Sequence, residues 1–550
     1  MRLGTSYKQN PIEGDYDTIV IGSGIGGLTA AALLAQEADE KVLVLERHYT
    51  AGGYTHTFTR KGYEWDVGVH YIGEVLNPKR EVLQVFDAIT DGKLEWADMG
   101  EVYDTIIIGD DRYEFVKGVG NFKKKMVEYF PEEKAAIHAY VSRVKQMVAK
   151  GKLYFAEKAL PRPLSALFGG LMRRGALKLA RQTTAEVLAE LTDNVRLRAV
   201  LAGQFGDYGL SPSEGSFFVH SMVVNHYFEG GAYPVGGSAQ IAANILPVIE
   251  RAGGKVFTNA EVDEILVEGR RAVGVRMADG KEIRAPKIIS GAGIHTTYGK
   301  LIPEAVGQRF GLPKLAQRIK PSIAHLSLYL GFEETAEELG LERSNLWVFP
   351  TDDHEANMRC ALDDPENAEL PAVYLSFPGA KDPDFTNRYP GKTTVEVVTL
   401  AHYEWFEKWE DTRWGRRGDD YKAFKEHLSN RLLEALFTQC PQLRGKVAYQ
   451  ELSTPLSTRH FANFKKGEIY GLEQTPMRFE QKWLRPQTPI KGLYLTGADV
   501  CSAGVAGGLF GGVLTVSNML MRDMRGACAR RAAKLRAEPT SPELTPATVS

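Results

Sequence analysis

The tightest constraint on this chain is a short turn, GSGIGG, that follows the apolar run TIVI and precedes the helical pattern LTAAALLAQEA. Gly22, Gly24 and Gly27 fall in the G-x-G-x-x-G register at a strand-to-helix junction, with Ile25 and Gly26 completing the turn. In that register the first glycine makes a tight turn, the second lets backbone approach a pyrophosphate, and the third lets helix pack on strand. The helix start adds free N–H groups and a dipole that attract phosphate. The next strand, KVLVLE, ends in Glu46, a carboxylate placed to accept from adenosine ribose hydroxyls and to disfavour a 2′-phosphate. A ligand-free turn is the plainer reading of the glycines alone; strand, helix and Glu46 together weigh against it. The pattern predicts an α/β fold opening on a Rossmann-type βαβ unit that holds FAD or NAD rather than NADP.

The continuation, ERHYTAGGYTHTFTRKGYEWDVGVHYIG, resembles that of the family of FAD-dependent phytoene desaturases, carotenoid isomerases and retinol saturases, in which an acidic-basic pair precedes a Gly-Gly turn. VHYIG, from Val69 to Gly73, is most similar to the all-trans-retinol 13,14-reductase branch. The C-terminal GLYLTGADVCSAGVAGGLFGGVLTVSNML is similar to the flavin-closing segment of the same group, and Tyr233 to Gly293 to its middle return. The substrate region between them is not matched residue by residue. The resemblance implies FAD, contacted by Glu46, Arg47, Gly52 and Gly53, with Val262 giving a backbone contact to adenine. It also implies Gly497 and Asp499 near the ribityl-pyrophosphate, and Gly504, Val505, Gly507 and Gly508 near the ring. A second helix N-terminus aimed at the ring would stabilise negative charge on reduced flavin.

Along the chain, YDTIIIGDDRYEFV reads as a hairpin about Gly109-Asp110-Asp111, and Phe122 to Lys150 as helical. Residues 236–293 give a helix and short strands that return the chain to the first domain. Aromatic-rich strands (HLSLYLGF, NLWVFP, AVYLSFPG) then predict a mixed sheet roofing a substrate cavity, with a helix over Asp419 to Thr438. The expected organisation is discontinuous: 16–75, 230–300 and 490–525 bind FAD, while 76–229 and 301–489 form an α+β substrate domain. Residues 526–550 read as a basic helix and a tail, PTSPELTPATVS, too polar and proline-rich to fold alone.

Formal charge is −2, so no basic surface announces a nucleic-acid partner. The cysteines, Cys360, Cys440, Cys501 and Cys528, have neither disulfide-framework nor metal-ligand spacing, and no metal is expected. MRLGTSYKQNPIEGDYD contains no apolar run and no small-residue cleavage site, which predicts a cytoplasmic protein.

Three features admit two readings. Val500 to Met521 is uncharged, long enough to span a bilayer and carries Gly504-xxx-Gly508, yet its glycines suit close packing against FAD. Cys501 could link flavin covalently or be a small buried hydrophobe. Residues 152–181 hold seven basic residues and one acid among Leu, Phe and Met, which reads as a peripheral membrane contact or as a basic helix pair with an ordinary core face.

GAGIHTTYG (Gly291 to Gly299) has an incomplete register, so no separate NADPH domain is expected and electrons must come from an external donor such as diffusing NADPH or a quinone-linked partner. The family reading is an oxidoreductase on carbon-carbon double bonds of an apolar isoprenoid or polyene. In the saturase form, hydride goes to one carbon and a proton to the other, with His70 and Tyr71 as candidate donors and water as the default. Desaturation and cis-trans isomerisation use the same motifs. An amine oxidase, or a non-enzymatic prenyl-lipid escort protein on the same fold, are the rivals from other classes.

Overall fold

The computed structural model describes residues 2–537; the polar tail lies outside the described residues. Six parallel strands form the central sheet in the order Thr5–Ser6, Lys255–Thr258, Val42–Leu45, Thr18–Ile21, Lys287–Ser290 and Leu493–Leu495. Thr18–Ile21 and Val42–Leu45 are buried at every position, which is why both read as unbroken apolar runs rather than alternating ones. One face is covered by the helices Ile25–Ala38, Ala239–Arg251 and Gly504–Leu520, the other by the antiparallel strands Val262–Glu268, Arg271–Met277 and Glu282–Arg284. The sheet takes in Thr5–Ser6, upstream of the expected start near Tyr16; two residues are too few to carry a periodicity.

A second, seven-stranded mixed sheet runs Val447–Ser453, Ala324–Phe332, Thr393–Ala401, Val373–Ser376, Asn345–Phe349, Val102–Ile108, Asp111–Val116. Only Asn345–Phe349 against Val102–Ile108 is parallel, and Val102–Ile108 with Asp111–Val116 forms the hairpin expected at Gly109. The predicted helical stretch from Phe122 is interrupted: Val119–Tyr129 ends before Pro131, and Lys134–Ala159 begins afresh. Proline lacks the N–H and would clash with the preceding turn, so one continuous helix is not available.

The glycines of Gly504–Leu520 are used inside the protein. A Cβ on Gly512 would stand 2.6 Å from Thr29 Cβ, and one on Gly511 2.3 Å from the Gly497 carbonyl oxygen. Of the pair that reads as a membrane-dimer face, Gly508 joins Gly512 in the seam on Ile25–Ala38, where its Cβ would stand 2.7 Å from Ile25 Cγ2, while Gly504 faces open space. Among the described residues no single helix is long and apolar enough to cross a membrane; Gly504–Leu520 and Met524–Ala537 pass that test only as a pair bent by 111°.

Candidate active site

The glycine turn, the Gly-Gly turn and the start of the C-terminal helix converge on one cavity of about 670 Å³. Its nucleotide end is walled by Gly22, Gly24, Ile25, Gly26 and Gly27 from the first turn, with Glu46, Arg47 and Gly53 beside them. Val262 adds the strand behind, and Gly497, Asp499, Gly504, Val505 and Gly508 close the far side. Gly52 and Gly507 do not line the cavity. Gly52 bridges to Gly24 and donates its N–H to Ser23 Oγ, and a Cβ on Gly507 would meet the Ser502 carbonyl at 1.9 Å. Both are packing glycines behind the wall.

The glycines divide by what a side chain would meet. At Gly27 a Cβ would lie 2.3 Å from the Gly22 carbonyl oxygen, so nothing larger fits between helix and strand. At Gly24, Gly497 and Gly504 a Cβ would meet nothing within 4 Å. Those three positions present bare backbone to open space, a cradle that any side chain would fill and that an extended dinucleotide requires.

Glu46 is already engaged. Its Oε2 accepts from Ser23 N–H at 2.9 Å and Ser23 Oγ–H at 2.7 Å, and its Oε1 from His48 N–H at 2.7 Å. Two lone pairs on each oxygen leave one acceptor position, on Oε1, for a ribose hydroxyl. Arg47 points partly away, donating through Nη1 to the carbonyls of His460 at 2.8 Å and Phe461 at 3.2 Å. Asp499 ties three segments together: Oδ2 accepts from Ile294 N–H at 2.7 Å and Oδ1 from Leu472 N–H at 2.9 Å. Cys501 is buried, does not line the cavity, and its thiol is pushed up to about 11 by burial, as for a small core residue.

Beyond the cradle the same cavity opens into a chamber floored by the seven-stranded sheet. His325, Ser327 and Tyr329 face it at every second position of one strand. Trp347, Tyr374 and Leu452 come from three others. Aromatic and apolar side chains thus share the lining with His325, Ser327, Thr399 and Glu451.

The two residues singled out as proton donors part company. His70 lines the chamber, its Nδ1 2.9 Å from Glu396 Oε2, although neither atom is aligned for a hydrogen bond. Burial and the nearby Lys381 cation push its imidazole down to about 3, so it stands neutral. Tyr71 does not line the chamber. It is buried behind it, stacked on Tyr227 at 4.1 Å, and donates its O–H to Asp104 Oδ2 at 2.8 Å with Asp207 Oδ2 at 3.3 Å.

Asp207, which no motif marks, is an acid that the fold does place on the cavity wall. Asp104, fully buried, also accepts from Asn345 Nδ2 at 3.0 Å and Gln204 Nε2 at 2.8 Å. Burial raises Asp104 only to about 6, because these donors offset much of the desolvation. Asp207 is raised well above the usual carboxylate range, first by burial and then by the Asp104 charge. Two carboxyls joined through one phenol thus differ: Asp104 is the better hydrogen-bonded anion, and Asp207 is shifted toward its protonated form.

Among the described residues no group of three or more His, Cys, Asp or Glu side chains is placed to hold a metal ion. Residues 25–520 match the family model described as flavin containing amine oxidoreductase. The chain belongs to the flavin-containing amine oxidoreductase family. It is an FAD-dependent oxidoreductase, and the cradle fits that cofactor. Within the family it is 38% identical to an all-trans-retinol 13,14-reductase of Danio rerio, over 95% of this chain and 89% of the relative. It is 29% identical to the chloroplastic prolycopene isomerase of Arabidopsis thaliana, over 92% of this chain and 83% of the relative. Its fold matches that of cyclohexylamine oxidase from Brevibacterium oxydans at a TM-score of 0.56, with 18% identity, 95% of this chain and 100% of the other covered.

Proposed function

We propose that the enzyme is a saturase, adding hydride and a proton across one carbon-carbon double bond of a retinol- or carotenoid-like polyene. One observation carries the reading: the dinucleotide cradle and an aromatic chamber are two ends of a single cavity, in a chain that parallels a retinol 13,14-reductase over nearly its whole length. Bound FAD supplies hydride chemistry. The chain supplies the rest. Tyr329, Trp347, Tyr374 and Leu452 give a long apolar substrate its surface, with burial contributing about 25 cal/mol per Å² and few polar contacts needed.

The proton is assigned to Asp207. It is a carboxyl on the chamber wall, Tyr71 links it to Asp104, and burial, followed by the Asp104 charge, favours its protonated form. Neutral His70 lines the chamber as an element of its shape. Electrons arrive from an external donor, NADPH or a quinone-linked partner.

Anaerobic incubation of photoreduced holoprotein with all-trans-retinol and a carotenoid panel, read by mass spectrometry, tests this. Gain of two hydrogens with loss of one double bond is expected. Unchanged mass with altered retention would make the enzyme an isomerase, and peroxide release on amine addition would make it an amine oxidase. Purified protein that is colourless and takes up no FAD would leave only an escort role.

A further inference from the structure

Behind His70 stands a buried cation to which the reaction gives no part. Lys381 ends the short helix Pro378–Lys381 and is 1% exposed. Its Nζ donates to the His70 carbonyl at 3.0 Å, to Ser376 Oγ at 2.8 Å and to Asn345 Oδ1. Three acceptors match the three N–H groups of an ammonium, and none of them is a carboxylate. Burial pulls this ammonium down to about 7, while Glu396, Asp104 and Asp66, from three different strands, hold it up. Neutral His70 is the other titratable group that faces it.

The contact with Asn345 fixes an orientation. Asn345 is the register partner of Asp104 across the parallel strands Asn345–Phe349 and Val102–Ile108, and both residues are fully buried. Lysine has donors only, so it takes the amide by Oδ1 and turns Nδ2 toward Asp104 Oδ1, 3.0 Å away. Asp104 is thereby met by three donors: Asn345 Nδ2, Gln204 Nε2 at 2.8 Å and the Tyr71 hydroxyl at 2.8 Å. Such a set favours the anion. Asp207 closes the turn Phe205–Asp207, and among the described residues its carboxyl is met only by the Tyr71 hydroxyl, at 3.3 Å. Tyr227, Tyr374, Tyr470 and Asp104 are the other titratable groups that face it. One phenol carries one hydrogen, so two carboxyls gathered on it call for a second proton, held by one acid or the other.

We propose that Lys381 is the positioning residue that keeps this shared proton on Asp207, acting through Asn345 on Asp104. The inference rests on Asp207 as the proton donor of the saturase reaction. With the cation in place the amide offers N–H to Asp104 and a positive charge lies behind it, so Asp104 is the anion. Without the cation the amide is free to turn and present Oδ1, which accepts from a protonated Asp104. The proton then crosses by exchange at Tyr71: its own hydrogen passes to Asp104 Oδ2 as it takes the one from Asp207 Oδ2. The acid on the cavity wall is left as a carboxylate, with no proton to add to the substrate.

The test compares Lys381→Met with Lys381→Arg in full-length, FAD-loaded protein. Infrared difference spectra of the resting enzyme across pH give the protonated carboxyl bands, assigned by their loss in Asp207→Asn and in Asp104→Asn. At neutral pH the Asp207 band should shrink and an Asp104 band should grow in Lys381→Met, while Lys381→Arg keeps the wild-type pattern. Saturation of all-trans-retinol by photoreduced enzyme should fall about tenfold or more in kcat in Lys381→Met, with KM unchanged. Lys381→Arg should restore it, and adding Asp207→Asn to Lys381→Met should cost less than Asp207→Asn costs alone. Asn345→Ala, which keeps the cation and removes the amide, should move the same bands in the same direction and carries the test where Lys381→Met fails to fold. Wild-type bands and kcat in Lys381→Met, beside an impaired Asp207→Asn, would overturn this proposal alone. Equal losses in the Met and Arg variants would overturn it too, as the mark of packing rather than charge. Full activity in Asp207→Asn would remove the donor assignment and this inference with it.

Discussion

Gly26 and Gly497 meet backbone to backbone: a Cβ on Gly26 would stand 2.5 Å from the Gly497 Cα and 2.8 Å from its nitrogen. Residues near opposite ends of the chain thereby close one cradle, and the contact exists only because Gly26 lacks a side chain.

Gly26→Ala should therefore damage the fold itself, with a loss of about 1–3 kcal/mol or more from overpacking against rigid backbone. Gly24→Ala should do the reverse, since its Cβ enters open space: the apoprotein keeps its melting temperature and loses flavin. Thermal melts beside the ratio of flavin to protein absorbance separate the two. Full flavin content in Gly24→Ala would contradict the assignment of that space to the cofactor.

Asp207→Asn should reduce double-bond saturation by about 10²–10⁴-fold, the usual worth of a positioned general acid. Flavin content should be unchanged. Because the protonated form is the active one, the wild-type rate should be flat at low pH and fall as pH rises through the elevated Asp207 pKa. Asp207→Asn should lack that limb, and Tyr71→Phe should shift the wild-type midpoint, because the Tyr71 hydroxyl stands between the two carboxyls, 2.8 Å from Asp104 Oδ2 and 3.3 Å from Asp207 Oδ2. A variant with the wild-type pH profile would return the role to water.

Glu396 is buried and raised to about 8 from 4.5, and Asp66 to about 7, in both cases chiefly by desolvation. A carboxyl whose folded pKa exceeds its unfolded value favours folding fully only below the unfolded value, and the advantage is lost as pH rises through the folded one. Wild type should thus lose stability relative to Glu396→Gln between pH 4.5 and about 8. Lys381, lowered to about 7 by burial, acts oppositely above that pH, so the wild-type-minus-variant difference in denaturant unfolding is the quantity to follow. A difference independent of pH would refute the assignment.

Glu157→Gln should cost about 3–5 kcal/mol, because it leaves Arg173 and Arg485 buried without their counter-charge. Urea midpoints measure it. A change below about 1 kcal/mol would mean that solvent reaches these groups freely.

The cradle was legible in the linear chain because its requirements are local. Close backbone approach demands glycine at set spacings, and a strand followed at once by a helix shows in the change of hydrophobic period. The chamber was not legible. Its sheet is assembled from strands far apart in sequence, and which face of Ala324–Phe332 looks inward depends on pairing with Thr393–Ala401 and Val447–Ser453.

The residues adjacent in the VHYIG motif show the division most sharply. Sequence could nominate His70 and Tyr71 together, as donor types beside a family motif, but strand pairing and helix packing put His70 on the chamber wall and Tyr71 behind it. Asp207 carries no local signature, since an aspartate in QFGDY is chemically ordinary until burial and Asp104 act on it. The sequence alone thus determined a dinucleotide cofactor and the strand-turn-helix that receives it, through steric rules acting over a few residues. Tertiary structure alone decided which carboxyl stands raised on the chamber wall, because a pKa is set by distant groups brought into contact, and no local pattern encodes them.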